Sequence, residues 1–362
     1  MRYSVLKMCL FLMVYFLIFT VNNDAIAQTQ KLPAYGVDIL QTSVSGLSSG
    51  AFMTSQLHVA YSDIISAVGI IAGGPYYCAA SSSLNEPVEN ATTICMNPIG
   101  PGPENEKLFI KAQEFSKQGL IDNLSNLKDD KVYIFSGSSD TVVKTKVVDE
   151  TTKFYQLAGI ASGNLKYIKN INAGHAIITD NQGDTECNVT KTPFINDCDF
   201  TQSQEILRHL YDNMNPPSKT LSGKLTAFDQ TEFITSDRSS MSKEGYVYVP
   251  ASCEQKTCKV HVVLHGCEQG AEVIGDKYYK TTGYNEIADT NDIIVLYPQV
   301  QPSKTIPENP LGCWDFWGYS SSDPENPNFY TQEAPQMMSI MKMVKRLAES
   351  KKETAETQKK EQ

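Results

Sequence analysis

The sequence predicts an α/β protein, a mostly parallel sheet flanked by helices within a single catalytic domain. Apolar, β-rich runs such as Val132-Tyr133-Ile134-Phe135, His261-Val262-Val263-Leu264 and Ile293-Ile294-Val295-Leu296-Tyr297 alternate with amphipathic stretches, the pattern of strands joined by covering helices. Gly46-Leu47-Ser48-Ser49-Gly50 has the G-x-S-x-G form, the sharp strand-to-helix turn that presents a nucleophilic serine. It stands where such a turn belongs, between Val37, Ile39 and Val44 and the helical spacing of Met53, Leu57 and Ala60.

In chain order, Arg2 and Lys7 precede an apolar run from Met8 to Val21 and then Ala25-Ile26-Ala27. These read as the n-region, h-region and A-x-A site of a signal peptide over residues 1–27, with export and cleavage before Gln28. The run is shorter than the roughly 20 residues of a spanning helix, so no membrane span is expected after cleavage. Strands are expected within Ile64 to Ala72 and over Lys131 to Phe135, Leu165 to Ile171, Lys224 to Thr226, Gly245 to Val249, Val260 to Leu264 and Ile293 to Tyr297. Helices are expected from near Ser49, Lys107, Thr145, Gln202, Thr281 and Gln332. Asn85 to Pro103, rich in Pro and Asn, reads as a stapled surface loop, and Asn213 to Ser218 as a joint between halves. The catalytic domain is taken as 28–350, and 351–362 as a charged flexible tail.

Lys and Arg total 31 against 41 Asp and Glu, an acidic balance that argues against a nucleic-acid partner. After Cys9 in the leader, eight cysteines remain, and export with an even count points to disulfides. Three sequence-local pairs suggest themselves, Cys78 with Cys95, Cys187 with Cys198 and Cys253 with Cys258, which leaves Cys267 with Cys313. A zinc site is the competing use of these residues, but there is no C-x-x-C, and no metal is expected. Asn90, Asn123 and Asn188 each begin an N-x-S/T sequon.

A serine nucleophile needs a base and an acid that orients it. Of five histidines, His58 and His209 fall on helices, His261 lies inside a strand and His265 follows that strand in an H-G turn. His175, in the loop Asn172-Ala173-Gly174-His175-Ala176 after a strand, is therefore the candidate base. Asp140 follows the strand ending at Phe135 in Ser136-Gly137-Ser138-Ser139-Asp140; it reads either as a helix cap or as the orienting acid. With Ser48 before it and His175 after it, Asp140 completes the order Ser, Asp, His of the α/β-hydrolase architecture. The second oxyanion donor, normally upstream, is found instead in His265-Gly266-Cys267-Glu268-Gln269-Gly270, which implies a circularly permuted chain.

Gly46 to Met53, Gly137 with Asp140, Ala173-Gly174-His175, Leu264-His265-Gly266-Cys267 with Gln269, Tyr297-Pro298-Gln299 and Gly312-Cys313-Trp314-Asp315 together resemble the secreted polyhydroxyalkanoate depolymerases with a permuted α/β-hydrolase domain. The resemblance implies a serine esterase acting on poly(3-hydroxybutyrate)-type polyesters, with Ser48 as nucleophile, His175 as base and Asp140 as its acid. It implies an oxyanion hole from the backbone N–H groups of Ser49 and Cys267, with the Cys267 thiol paired to Cys313. Trp314 and Trp317 become the substrate-binding candidates, with ordinary core aromatics as the alternative. No cofactor is implied, and a secreted monomer with a polyester substrate is expected. Many bacterial members carry a linker and a polymer-binding module; no Thr- or Pro-rich linker is read here. The rival readings are a secreted feruloyl or acetyl-xylan esterase on the same fold and a binding protein that has lost catalysis.

Overall fold

A computed structural model describes residues 30–82, 86–323 and 325–351. The expected leader at 1–27 and nearly all of the tail at 351–362 lie outside the described residues. The chain forms strands β1 (Thr42–Leu47), β2 (Ile65–Ile71), β3 (Lys131–Phe135), β4 (Leu165–Ile168), β5 (Ile177–Thr179), β6 (Thr185–Glu186), β7 (Ile195–Asp197), β8 (Lys224–Asp229), β9 (Glu244–Val249), β10 (Lys259–Leu264) and β11 (Ile293–Tyr297). Helices are α1 (Ser49–Ala60), α2 (Pro87–Thr92), α3 (Asn105–Lys117), α4 (Thr145–Leu157), α5 (Gln202–Leu210), α6 (Ala271–Ile274), α7 (Lys277–Thr281), α8 (Tyr284–Asp289) and α9 (Pro335–Ala348).

Eight strands make the central sheet in the order β4-β3-β2-β1-β10-β11-β9-β8. Pairings from β4 through β11 are parallel, and β9 alone is reversed, pairing antiparallel with β11 on one side and with the edge strand β8 on the other. Every residue of β1 and β11 is buried, as expected where helices cover both faces and the strand carries no polar side. The sheet order also displays the permutation: β1 to β4 fill one half and β8 to β11 the other, meeting at the β1–β10 pair. The class expected from the sequence, an α/β-hydrolase-like fold with a mostly parallel sheet, is what the chain adopts.

Packing explains the local choices. All twelve residues of α1 are buried, so this helix is enclosed around its whole circumference. Its polar side chains are met internally: Thr54 donates to Gly50 O, Ser55 to Gly74 O and Gln56 to Asp315 O, while His58 bonds Asp130. Gly69 lets α5 lie on β2, where a Cβ would come within 2.8 Å of Ile206 Cγ2. On the outer side, Tyr35 and Val37 donate backbone bonds to Leu347 O and Gly36 donates to Glu349 O, stitching the first described segment to the end of α9.

Several boundaries differ from expectation. Ile39–Gln41 is a short 3-10 helix, capped by the Asp38 carboxylate accepting from Leu40 N, so β1 starts only at Thr42. The Asn85 to Pro103 stretch is not wholly loop: Pro87, with its helix-ready φ, opens α2. Asn90 on that helix is fully buried and donates to Ala79 O and Ser82 O, so the acceptor amide of its sequon is closed to solvent. The helix expected near Thr281 divides into α7 and α8 at Gly283, whose φ is +83°. The small sheet β5-β7-β6 was not foreseen.

Candidate active site

Parallel registry brings the C-terminal ends of β1, β2, β3 and β10 to one edge of the sheet, with Gly46 aligned to Leu264 on one side and Leu47 to Ile71 on the other. Ser48 occupies the turn between β1 and α1 at φ 58°, ψ −121°. Two backbone approaches make glycine obligatory around it. A Cβ on Gly46 would stand 2.3 Å from Gly50 O, and one on Gly50 would stand 2.4 Å from His265 O. Ser48 N donates to Ile71 O at 2.9 Å and its carbonyl accepts from Ala51 and Phe52, so the turn is hydrogen-bonded on both sides. Ser49 opens α1, where its N–H has no intrahelical acceptor.

Asp140 and His175 come together at the same edge. Asp140 Oδ2 lies 2.7 Å from His175 Nδ1, and its Oδ1 accepts from Val142 N and Val143 N. Both side chains are almost completely enclosed. Their loops are zipped together: Ser138 N donates to Ile171 O, Ser139 N to Ala173 O, and a Cβ on Gly137 would strike Ala173 O at 2.2 Å. The His175 loop is held in turn by the small sheet. Gly174 N donates to Cys187 O, His175 N to Thr190 Oγ1, and the Cys187–Cys198 disulfide closes that unit. Thr190 and Phe194, whose ring meets His175 edge-on at 6.2 Å, are site residues that the sequence reading missed.

The remaining histidines are engaged elsewhere. His58 uses both ring nitrogens, on Asp130 Oδ2 at 2.9 Å and Tyr155 Oη at 3.1 Å, and His261 uses both on Ser43 and Ser45. His209 Nε2 meets the Val132 and Asn164 carbonyls. His175 alone pairs one nitrogen with a carboxylate and has no bond on the other among the described residues.

The H-G loop runs beside the serine, since a Cβ on Gly266 would lie 3.4 Å from Ser48 Cβ. His265 is fully buried; its Nδ1 bonds Gly266 O at 2.7 Å and its Nε2 receives Val300 N at 3.3 Å. Only a neutral ring with the proton on Nδ1 makes both bonds, and burial pushes its pKa down to about 4, outweighing the two hydrogen bonds. Cys267 is bonded to Cys313, and the other three disulfides are also those expected, Cys78–Cys95, Cys187–Cys198 and Cys253–Cys258. Beyond Cys313, Trp314 N donates to Ser49 Oγ, and Phe52 stacks on Phe316 at 4.1 Å. Trp314 is 0 % exposed, so it backs the wall of the site and offers a substrate no surface in this structure. Trp317 is half-buried, ringed by Phe316 and Tyr319. Asp315 shapes that turn: its carboxylate accepts from the backbone of Trp317, Gly318, Tyr319 and Ser320, while burial raises its pKa.

Sheet order and the strained serine turn place the chain in the α/β-hydrolase-like class. No protein-family model matches it. A poly(3-hydroxybutyrate) depolymerase of Delftia acidovorans is 41 % identical over 325 residues, covering 88 % of this chain and 62 % of the relative. A polyhydroxybutyrate depolymerase of Talaromyces funiculosus is 36 % identical over 307 residues, 81 % of this chain and 86 % of the relative. Among solved structures, the PHB depolymerase of Penicillium funiculosum superposes with a TM-score of 0.79 at 34 % identity, covering 88 % of this chain and 99 % of the other. A serine-to-alanine PHB depolymerase complexed with an R3HB trimer gives the same score and coverage at 33 % identity. The chain belongs to the polyhydroxybutyrate depolymerase family.

Proposed function

We propose that this chain is a secreted serine esterase that hydrolyses poly(3-hydroxybutyrate)-type polyesters through an acyl-enzyme. The observation that carries the reading is the 2.7 Å Asp140–His175 pair, at the sheet edge that also bears the strained Ser48. Ser48 Oγ attacks the ester carbonyl carbon while His175 Nε2 takes its proton. Asp140, acceptor to Nδ1–H, fixes the tautomer and stabilises the imidazolium. The carbonyl oxygen becomes an oxyanion facing the N–H groups of Ser49 and Cys267, each such donor contributing about 3 kcal/mol. As the C–O bond breaks, the hydroxyl end of the polymer leaves with the proton from His175. Water, deprotonated by the same nitrogen, then attacks the acyl carbon and releases the new carboxylate end with Ser48 restored. Trp317, the tryptophan with exposed surface, is proposed to contact the chain on either side of the scissile ester.

Four disulfides support an oxidising compartment, and the leader read at 1–27 supports export. Among the described residues no helix is long and apolar enough to cross a membrane. A monomer that meets the polymer in solution is part of the proposal.

The test is clearing of an amorphous poly(3-hydroxybutyrate) suspension by the purified protein, beside Ser48→Ala and with methyl ferulate and p-nitrophenyl acetate as competing substrates. Clearing that disappears in the variant supports the proposal. Turnover of small esters without clearing would replace the polyester by another acyl substrate, and no turnover of any would remove the catalytic reading.

A further inference from the structure

We propose that Gln269 is a positioning residue for this reaction, locking the oxyanion loop to the segment that backs the catalytic base. The inference rests on the roles given above to Ser48, His175 and Cys267. Gln269 is 1 % exposed and spends its whole amide on backbone. Its Oε1 accepts from Gly266 N at 2.7 Å. Its Nε2 donates to Pro193 O at 2.8 Å and to Phe194 O at 3.1 Å, across 76 and 75 residues of chain. A primary amide is the one neutral side chain that offers an acceptor and two donors in a plane, and all three are used here.

The two ends of this bridge are the two halves of the proposed chemistry. On one side, Gly266 is gripped twice, its N–H by Gln269 and its C=O by His265 Nδ1. That carbonyl shares a planar trans peptide with the Cys267 N–H, which must therefore point the opposite way. Fixing Gly266 thus aims the second oxyanion donor. On the other side, Phe194 O also accepts from Ile177 N, two residues after His175, and the Phe194 ring meets the imidazole edge-on. With Gln269 in place, the oxyanion donor and the base cannot shift independently.

The consequence is kinetic. Gln269→Met removes all three bonds at similar volume, and on a soluble p-nitrophenyl ester kcat is expected to fall about 10- to 100-fold with KM changed less than about two-fold. Gln269→Glu supplies a second readout. A protonated carboxyl accepts from Gly266 and donates its one proton to either the Pro193 or the Phe194 carbonyl, whereas the carboxylate confronts both carbonyls with an acceptor. The ratio of Gln269→Glu to wild-type kcat, taken per folded enzyme, is therefore expected to fall as pH rises with KM little changed, whereas a purely packing role would lose folded protein with pH and leave the kcat of the folded fraction alone. Ser48→Ala is run in parallel: if it retains activity, the underlying catalytic reading fails. If Ser48→Ala is inactive while Gln269→Met keeps wild-type kcat, or if the Gln269→Glu ratio is flat with pH, the positioning role is overturned. The pH ratio decides the matter even where Gln269→Met does not fold.

Discussion

Replacing Gly50 by alanine tests the geometry of the proposed oxyanion hole with a single methyl group. That methyl would stand 2.4 Å from His265 O and 2.5 Å from Leu264 O, both backbone atoms at the end of β10. Ordinary contact needs about 3.5 Å, so the start of α1 and the end of β10 must part by about 1 Å. Those two segments carry the Ser49 and Cys267 N–H groups, and the hole widens by the same amount. A displacement of about 1 Å in a reacting constellation costs on the order of 10²-fold in rate, about 2.7 kcal/mol of barrier. Strain from the added methyl costs a further ~1–3 kcal/mol of stability. The assay is kcat on a soluble p-nitrophenyl ester, normalised to folded protein by circular dichroism, with the midpoint of thermal unfolding measured alongside. Gly163→Ala is the control, since nothing lies within 4 Å of its Cβ position. A Gly50→Ala enzyme with kcat within about three-fold of wild type and an unchanged unfolding midpoint would refute the argument.

Asp140→Asn is expected to lower kcat on the order of 10⁴-fold, because an amide NH₂ facing His175 Nδ1 selects the tautomer whose Nε2 cannot accept the serine proton; a loss under about ten-fold at saturating ester would remove Asp140 from its proposed role. Cys267→Ser with Cys313→Ser opens a loop spanning 46 residues, worth about 4 kcal/mol in the chain-entropy picture. Urea unfolding measures it, and a loss under about 1 kcal/mol would mean that the loop is held without the bond. His265 makes stability depend on acid: with a folded pKa of about 4 against an ordinary 6.5, the unfolded chain takes the proton first. Above pH 6.5 its contribution is constant; between about 6.5 and 4 stability falls as pH falls, by up to about 3 kcal/mol. His265→Gln should therefore flatten the acid limb of unfolding free energy against pH, whatever it does to the absolute value, and an unchanged slope would contradict the neutral assignment.

What could be read in advance followed the strength of the local signal. β3, β10 and β11 are runs of apolar residues buried on both faces, and their limits in the fold match the sequence closely. The pairing of Asp140 with His175 was legible because each follows a strand at the same sheet edge, and chain order did the rest. β5, β6 and β7 were not legible: they are two or three residues long, too short for any periodicity, and they exist because the Cys187–Cys198 unit packs against the His175 loop. Thr190 illustrates the same limit. In sequence it is only the third position of a sequon, and its bond to His175 N depends on that fold-back. For Trp314 the sequence leaves open a substrate contact, implied by the resemblance, and an ordinary core aromatic; packing places it beneath the surface.

The meeting of β1 with β10 sets a timetable for the molecule. Ser43 and His261, neighbours across that seam, are 218 residues apart along the chain. During synthesis the proposed nucleophile, acid and base are all made in the first half, yet β1 then has an open edge and Ser48 has no Cys267 donor beside it. The Cys267–Cys313 bond comes later still, and only in an oxidising compartment. On the proposed mechanism, the oxyanion hole is therefore completed only after the second half of the sheet has docked on β1, long after the proposed nucleophile, acid and base have been made.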